Sequence, residues 1–278
     1  MSAAAELASG KGHKDENFPV ASHLIRPRHR APIMAFYHFA RAADDIADNE
    51  SASADEKLAG LEAMRRTLLG QADSEPTAEG LRAALTECRL DPTHPLNLLE
   101  AFRRDVTKTR YQSWDALIDY CRYSAMPVGR FVLDVHGEDR ALWPANDALC
   151  AALQIINHLQ DCGDDYRTID RVYLPQDMLA GYGARTEDIG AASASPALRS
   201  VIVDMASRCE QLLAQSAAFA RSIRDGRLAL EVAVIQRLAI DLSARLRTRD
   251  PLSERIVHRK TEALGLALRA VIGRWLGR

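Results

Sequence analysis

Two acidic clusters in the sequence have residue types and spacings suited to binding a divalent metal ion. The first is Arg41-Ala-Ala-Asp44-Asp45-Ile-Ala-Asp48, in which charged residues recur every three or four positions. In a helix this spacing places a cation and several carboxylates on one face. Such carboxylates repel each other unless a cation lies between them, and Mg²⁺ prefers oxygen ligands of this kind. The alternative is a solvated helix end, where Arg41 pairs with Asp45 across one turn.

The second cluster lies far downstream, where positions 154–165 read Gln-Ile-Ile-Asn-His-Leu-Gln-Asp-Cys-Gly-Asp-Asp. Four polar side chains share one helical stripe of this apolar segment, namely Gln154, Asn157, Asp161 and Asp165. Burying amides and carboxylates costs free energy unless they have partners. We therefore expect the two acidic helix faces to lie opposite each other across a cavity.

Length, composition and charge restrict the possible function classes. The chain has 278 residues, of which 47% are hydrophobic and 27% charged, so it can bury a sizeable core as one domain. A formal net charge of -2 without a concentrated basic tract argues against a nucleic-acid partner. The 5 scattered cysteines, none in a Cys-x-x-Cys pair, indicate reduced thiols. No signal peptide and no apolar run of about eighteen residues is found, so we expect a soluble cytoplasmic protein.

Hydrophobic periodicity predicts an all-α fold of about ten helices. The first helix begins near Arg28 and carries the first cluster, and residues 1–16 are predicted to be a flexible segment before a helical domain over 17–278. Further helices are predicted over Asp55–Leu69, Pro76–Leu90, Pro95–Arg110, Ser113 through Gly137, Ala145–Cys162, Ser195–Ile223, Leu228–Arg249 and Ser253–Trp275. Arg171-Val-Tyr173-Leu-Pro175 breaks this periodicity and is predicted to be a functional loop.

These segments, in this order, resemble the squalene and phytoene synthase family. The matching motifs are Arg41 to Asp48, Arg110-Tyr111, Tyr120-Cys121 with a small-residue segment to Gly129, Gln154 to Asp165, and Arg171-x-Tyr173-Leu-Pro175. The resemblance extends from about residue 17 to near the C-terminus. It implies a single-domain isoprenoid synthase helical fold, with a central apolar cavity and Mg²⁺ bound at its mouth.

The resemblance also implies roles for individual residues. The metal ligands would be Asp44, Asp48, Asp161 and Asp165. The substrate-binding residues would be Arg41, Asp45, Gln154, Asn157, Arg171 and Tyr173. Tyr37 and Tyr120 would be catalytic aromatic residues lining the cavity, where π faces stabilise a carbocation, although both could be core aromatics. His38 and His158 neighbour the clusters but are interpreted as packed or surface residues, not as ligands.

Two departures from the usual family pattern, together with the motif at 16–20, resemble the hydroxysqualene synthases of the bacterial hopanoid pathway. The departures are the segment Ser124–Arg130 in place of Val-Ala-Gly-x-Val-Gly and Gln160 in place of Arg. This resemblance implies that presqualene diphosphate is ionised and the cation quenched by water without NADPH, alongside a separate presqualene diphosphate synthase. Two alternatives stay open: coupling of two farnesyl diphosphates to presqualene diphosphate or squalene (or a phytoene-type reaction), and a non-catalytic assembly or binding protein.

Pro127 suggests a hypothesis about the quenching water. Inside a helix from Ser113 through Gly137, a proline would kink the axis and expose the carbonyl of Tyr123, four residues earlier. That carbonyl, with Tyr120 one turn away, would hold the attacking water. The alternative is that Pro127 only serves packing.

The last predicted helix has two interpretations. Its apolar and basic residues are Leu264, Leu268, Ile272, Trp275 and Leu276, with Arg269, Arg274 and Arg278. Packing into the core is the ordinary interpretation. Peripheral contact with the inner face of a membrane that receives the apolar product is the alternative.

Overall fold

The structure, a computed structural model, describes residues 25–275, with side chains described through residue 271. Within this range the chain forms α-helices and two short 3-10 helices and contains no named β-strand. The all-α prediction is therefore confirmed. The segment predicted to be flexible, residues 1–16, and the motif at 16–20 lie outside the described residues, as do Leu276, Arg278 and the side chains of Ile272, Arg274 and Trp275.

In chain order the helices are α1 (Pro27–Ala47), α2 (Ala54–Leu68), α3 (Pro76–Cys88), α4 (Thr93–Thr107), α5 (Trp114–Ser124), α6 (Met126–His136), α7 (Trp143–Ile169), α8 (Gln176–Gly181), α9 (Pro196–Gln215), α10 (Phe219–Ser222), α11 (Gly226–Thr248) and α12 (Lys260–Trp275). The chain divides into two compact units. The first unit comprises the chain up to residue 108 together with 122–140, and the second comprises 109–121 and 141–278.

The first unit is built around α1, which packs against α2, α3, α4 and α6. Phe36, Phe39, Ala43 and Ile46 recur at helical spacing and are all buried. The ring of Phe36 stacks on that of Phe131 from α6, with centroids 4.3 Å apart. Burying each such ring stabilises the unit by roughly 1.5–3 kcal/mol. This apolar stripe fixes the rotation of α1 and leaves the stripe that carries the first acidic cluster partly exposed.

The second unit is built around α7, which packs against α9 and α11. Ala151, Ala152, Ile155, Ile156 and Leu159 of α7 are all fully buried. Small and branched side chains on this face let neighbouring helices approach closely. In turn, α11 packs against α12. Because the apolar stripe of α7 is buried against α9 and α11, it determines the rotation of α7 and hence the direction of its polar stripe.

The predicted helix from Ser113 through Gly137 is wrong, because the chain breaks at Ala125, where φ is -120° and ψ is -48°. Two helices, α5 and α6, take its place. Pro127 lies in the first turn of α6, where a helix needs no N–H from that residue. A proline at this position starts a helix and does not kink one. The hypothesis that Pro127 exposes the carbonyl of Tyr123 by kinking a helix interior is therefore wrong.

Other helix boundaries also differ from the predictions. The predicted Ser195–Ile223 helix ends at Gln215, and α10 follows as a separate short helix. At this break the buried hydroxyl of Ser216 donates to the carbonyl of Leu213 at 2.9 Å. The last helix begins at Lys260 instead of Ser253, whereas α7 continues to Ile169, seven residues past the predicted end at Cys162. The second acidic cluster consequently lies within a regular helix.

Candidate active site

The first acidic motif occupies the C-terminal half of α1. Nη1 of Arg41 lies 2.7 Å from Oδ2 of Asp44, and Nη2 lies 3.5 Å from Oδ1 of Asp45. The contact to Asp45 is the one that the solvated-helix interpretation expects. However, the exposed fractions of the three side chains are only 23%, 34% and 14% for Arg41, Asp44 and Asp45. A partly buried guanidinium between two carboxylates reduces their repulsion and holds them in place.

Tyr37 and Asp48 extend this stripe in the two directions. Tyr37 lies one turn before Arg41 and is half-buried, with its ring 5.7 Å from the ring of the exposed His38. Asp48 caps the helix, and its N–H donates to the carbonyl of Asp44 at 2.9 Å. One helix thus brings together every predicted site residue of the first motif, namely Tyr37, Arg41, Asp44, Asp45 and Asp48.

The second motif lies along α7. Asp161 is exposed, whereas Gln154, Asn157 and Asp165 are half-buried. Their spacing of three or four residues in a regular helix places all four on one stripe, as predicted. The neighbouring Asp164, which is 80% exposed, pairs with Arg167 at 2.7 Å and lies at the edge of this stripe, three residues after Asp161 and seven after Asn157.

The C-terminal end of α7 is fixed by an ion pair from a distant part of the second unit. The helix ends at Asp170, whose φ of 49° and ψ of 40° lie in the left-handed region that aspartate tolerates better than most residues. Nη2 of Arg110 lies 2.5 Å from Oδ1 of Asp170, and Nη1 of Arg110 donates to the carbonyl oxygen of Asp170. One guanidinium thereby holds both the side chain and the backbone at the helix end.

The loop after α7 is tied to the segment that contains Arg110 by backbone hydrogen bonds. The N–H of Val172 donates to the carbonyl of Thr109 at 2.9 Å, and the N–H of Gln176 donates to the carbonyl of Tyr111 at 2.9 Å. Arg171 through Pro175 are all buried. The predicted loop is therefore confirmed as non-helical and is held from both of its ends.

Four aromatic rings cluster beside this loop. The ring of Tyr111 stacks on that of Tyr173 with centroids 5.5 Å apart, and Tyr120 lies 5.1 Å from Tyr111 and 5.6 Å from Tyr173. The imidazole of His158 stacks on Tyr173 with a centroid distance of 3.3 Å and an interplanar angle of 14°. All four residues are buried. Two predicted site residues, Tyr120 and Tyr173, thus lie in one aromatic cluster with two residues that were not predicted.

His158 is neutral in this environment. Nε2 of His158 lies 3.0 Å from the side-chain amide nitrogen of Gln154, one turn earlier on α7. Burial, together with the positive charge of the buried Arg171, lowers the pKa of His158 from 6.5 to about 3. His158 is buried, as its interpretation as a packed residue expects. Its contacts, however, are with Gln154 and Tyr173, which are both predicted site residues.

Gln160 forms a structural hydrogen bond that the sequence motifs did not predict. Its side-chain amide donates to the backbone carbonyl of Ile256, in the segment that leads from α11 to α12. The arginine expected at this position in the family would carry a charge, whereas the neutral amide joins α7 to a segment 96 positions later. Gln160 therefore supports the packing of the second unit.

All five cysteines are free thiols, as predicted. Cys121 and Cys162 lie on the helices that carry site residues, and burial raises the pKa of each thiol to about 12. Thiols with such a pKa stay protonated at neutral pH and are poor nucleophiles and metal ligands.

Sequence reasoning missed three residues of the site region, Tyr111, His158 and Asp170. The sequence offered a signal for Tyr111, since Arg110-Tyr111 was one of the matching motifs. It offered a weaker one for Asp170, because aspartate is enriched in left-handed helix ends. It offered none for the stacking of His158, because the partner Tyr173 lies beyond the end of the helix.

The predicted metal ligands of each helix fit a hard divalent cation. Asp44 and Asp48 on α1, and Asp161 and Asp165 on α7, offer only oxygen atoms at four-residue spacing. Mg²⁺ binds through one or two carboxylates and keeps water or substrate phosphate oxygens as its other ligands. The partial exposure of these residues leaves room for such ligands. The assignment of metal ligands and of the other site residues stays a prediction.

Comparisons with known proteins agree on one family. The family profile described as squalene/phytoene synthase matches residues 11–262. A hydroxysqualene synthase from Zymomonas mobilis is 59% identical over 273 residues, which is 98% of this chain and 92% of that protein. A hydroxysqualene synthase from Rhodopseudomonas palustris is 57% identical over 256 residues, which is 92% of this chain and 88% of that protein.

Solved structures with similar folds point in the same direction. The crystal structure of squalene synthase HpnC from Alicyclobacillus acidocaldarius superposes with a TM-score of 0.74 at 32% identity, covering 88% of this chain and 91% of that one. A dehydrosqualene synthase solved with a ligand gives a TM-score of 0.79 at 20% identity, covering 95% and 92% of the two chains, and shows the fold alone.

The neutral, buried state of His158 predicts a pH-dependent stability. Its pKa is about 3 in the folded protein and about 6.5 when unfolded, so the unfolded chain binds more protons between these values. The free energy of unfolding should therefore fall as pH drops below about 6.5, by up to about 1.4 kcal/mol per pH unit from this group. Denaturant unfolding of the wild type and of His158→Phe between pH 7.5 and pH 5 measures the difference.

The stability difference between the wild type and His158→Phe should shrink by about 2 kcal/mol between pH 6.5 and pH 5. Ile155→Val, a change in the same buried helix without a titratable group, is the control and should show a pH-independent difference. A constant difference for His158→Phe would mean that the imidazole is not kept neutral by burial.

Proposed function

Because the chain belongs to the squalene/phytoene synthase family, we propose that it converts presqualene diphosphate into hydroxysqualene, with water as the quenching nucleophile and without NADPH. The observation that carries this proposal is the high identity, over nearly the whole chain, to relatives named hydroxysqualene synthase. The reaction would belong to hopanoid or squalene biosynthesis. A separate enzyme that makes presqualene diphosphate would supply the substrate.

The first step is departure of the diphosphate. Asp44 and Asp48 of the first unit, and Asp161 and Asp165 of the second, would hold Mg²⁺, which when bound would supply positive charge to neutralise the leaving group. Arg41 holds Asp44 in place through its 2.7 Å contact and is proposed to contact the diphosphate. Arg171 stays positively charged at any working pH and supplies a fixed cation for the same anion.

The second step is control of the carbocation. Tyr173, whose ring stacks on those of Tyr111 and His158, is proposed to contact the substrate. Tyr120 lies in the same buried cluster, and the π face of such a ring stabilises positive charge without forming a bond to it. Tyr37 is proposed to act in the same way from α1. Gln154 and Asn157 supply neutral polar groups on the stripe of α7 that orient the substrate. The buried loop 171–175 helps to keep bulk water away from the cation.

A second candidate function is the coupling of two farnesyl diphosphates, to presqualene diphosphate or onward to squalene. This candidate is supported by the similar solved structure from Alicyclobacillus acidocaldarius, which is described as a squalene synthase. A non-catalytic role is less consistent with the sequence, because mutually repelling carboxylates have no reason to persist in an inactive site.

Product analysis separates these functions. Purified protein is incubated with presqualene diphosphate or farnesyl diphosphate, with and without Mg²⁺ and NADPH, and the extracted lipids are identified by mass spectrometry. We expect hydroxysqualene from presqualene diphosphate with Mg²⁺ and without NADPH. Squalene that forms only with NADPH would instead support the coupling enzyme, and no turnover of either substrate would support the non-catalytic role.

Substitution of the acidic residues tests their assignment as metal ligands. Asp44→Asn and Asp161→Asn should each lower kcat by roughly 10²–10³-fold and raise the Mg²⁺ concentration needed for half-maximal activity, because each removes a negative ligand. Asp164→Asn is the matched control on α7, since Asp164 is 80% exposed and pairs with Arg167. It should stay within about twofold of the wild type.

The double variant Asp44→Asn/Asp161→Asn tests whether the two motifs act together. Residues that act as one unit give non-additive losses, so the double variant should be little worse than the poorer single variant. Fully multiplicative losses would indicate that the motifs bind independent ions.

We also propose peripheral contact between the second unit and an anionic phospholipid bilayer on the cytoplasmic side. No helix among the described residues has the length and apolarity needed to span a membrane. Leu264 and Leu268 of α12 are 71% and 59% exposed, so the core-packing interpretation is wrong for these two side chains. The basic residues Arg237 and Arg269 are exposed on α11 and α12 and would attract anionic headgroups.

Vesicle binding tests this contact. Wild-type protein should cosediment with vesicles that contain phosphatidylglycerol and bind less in high salt, whereas Leu264→Ser/Leu268→Ser should lose most of the binding. Tyr182→Ser is the control, because Tyr182 is also an exposed large side chain of the second unit, with 45% exposure. Equal binding by the wild type and the double variant would contradict a contact through α12, and self-association through this face would appear as a dimer in the absence of vesicles.

A further inference from the structure

We propose that His158 positions the water molecule that quenches the carbocation, through the ring nitrogen that Gln154 does not engage. This inference rests on the proposed function, because it concerns the water that becomes the hydroxyl group of the product. It assigns a role to a residue that is not among the predicted metal ligands, substrate-binding residues or catalytic tyrosines.

The position of His158 places its ring beside the aromatic residues of the site. The imidazole lies between α7 and the loop 171–175, stacked at 3.3 Å on Tyr173 and 6.2 Å from the ring of Tyr120. Tyr120 is the residue of the cluster that is proposed to face the cation, and Tyr173 is proposed to contact the substrate. Among the four clustered rings, His158 has the only nitrogen atoms, and its side chain is 8% exposed. A water molecule bound there would be close to the cation and shielded from bulk solvent.

The hydrogen bond to Gln154 determines what the ring can offer. A neutral imidazole carries one N–H and one acceptor nitrogen. With the amide nitrogen of Gln154 3.0 Å from Nε2, the amide donates to Nε2, so the proton of the ring is on Nδ1. The Nδ1–H group can then donate to a water oxygen and leave the second lone pair of that water for attack on the cation.

The charge state of the ring suits this task. Burial and the nearby Arg171 lower the pKa of His158 to about 3, so the ring is neutral at any physiological pH. A neutral ring places no positive charge beside the carbocation, whereas a protonated one would repel it. Stacking on Tyr173 restricts the ring to one orientation, so a water bound to Nδ1 would have a defined direction of attack.

The chemical step balances without a further reactant. The C–O bond to the diphosphate breaks with both electrons leaving on the diphosphate oxygen. The cyclopropylmethyl cation rearranges with opening of its three-membered ring, a lone pair of water forms the new C–O bond to the rearranged cation, and the resulting oxonium loses a proton to the released diphosphate. If no water is in place, the cation instead loses a proton from a neighbouring carbon and a dehydrated hydrocarbon forms.

Product partitioning in His158 variants tests the inference. His158→Phe retains a flat ring against Tyr173 but has no nitrogen, so it should still release diphosphate from presqualene diphosphate. The ratio of alcohol to dehydrated hydrocarbon should fall about tenfold, because the hydrogen bond to the water is lost. His258→Phe is the matched control, since His258 is a buried histidine of the same unit that pairs with Asp241 at 3.0 Å, and it should leave the ratio unchanged.

Two further variants keep the test decisive if His158→Phe does not fold. The amide nitrogen of asparagine matches Nδ1 of histidine in position, whereas that of glutamine matches Nε2. His158→Asn should therefore retain more alcohol than His158→Gln. Equal ratios in these two variants, or an unchanged ratio in folded His158→Phe, would overturn the role of His158 and leave the proposed function standing. Absence of hydroxysqualene from the wild type would instead overturn the proposed function itself.

Discussion

Negative charge concentrated on helix faces is the constraint on which the rest of the structure depends. Two unit charges about 6 Å apart repel by about 3 kcal/mol at the effective dielectric of a partly buried site. On α1, Arg41 lies 2.7 Å from one carboxylate and 3.5 Å from the next, so a single cation partly compensates for two anions. Binding of a further cation, as proposed above, would offset the repulsion that remains. The packing of α1 and α7 is arranged so that these faces stay accessible.

In each unit the same helix supplies both the core and the chemistry. The apolar stripe of α1, which includes Phe36 and Phe39, determines its rotation and thereby the direction of its acidic stripe. In the second unit, Ile155 and Ile156 do the same for α7. The aromatic cluster adds a neutral polar environment beside the second acidic stripe. Charged side chains thus lie on partly exposed stripes, whereas the aromatic rings of the second unit are buried.

The acidic motifs could be predicted because their information is local. Spacings of three and four residues determine a helix face, and α1 and α7 present those faces as the sequence indicates. The break at Ala125 could not be predicted, because apolar periodicity continues across it and Pro127 suits either a kink or a helix start. The contact of Gln160 with Ile256 depends on residues far apart in sequence. The expectation that the two acidic faces lie opposite each other stays a prediction.

The pairing of Arg110 with Asp170 has a consequence for recombination between family members. The loop 171–175 takes its position from the backbone of Thr109 and Tyr111, some sixty positions earlier in the chain. A chimaera with a crossover between these segments would join a loop from one parent to a support from the other. A chimaera that exchanges the C-terminal end of α7 should therefore take residues 109–111 and 170–176 from the same parent, because these two segments form one structural unit although they are far apart in sequence.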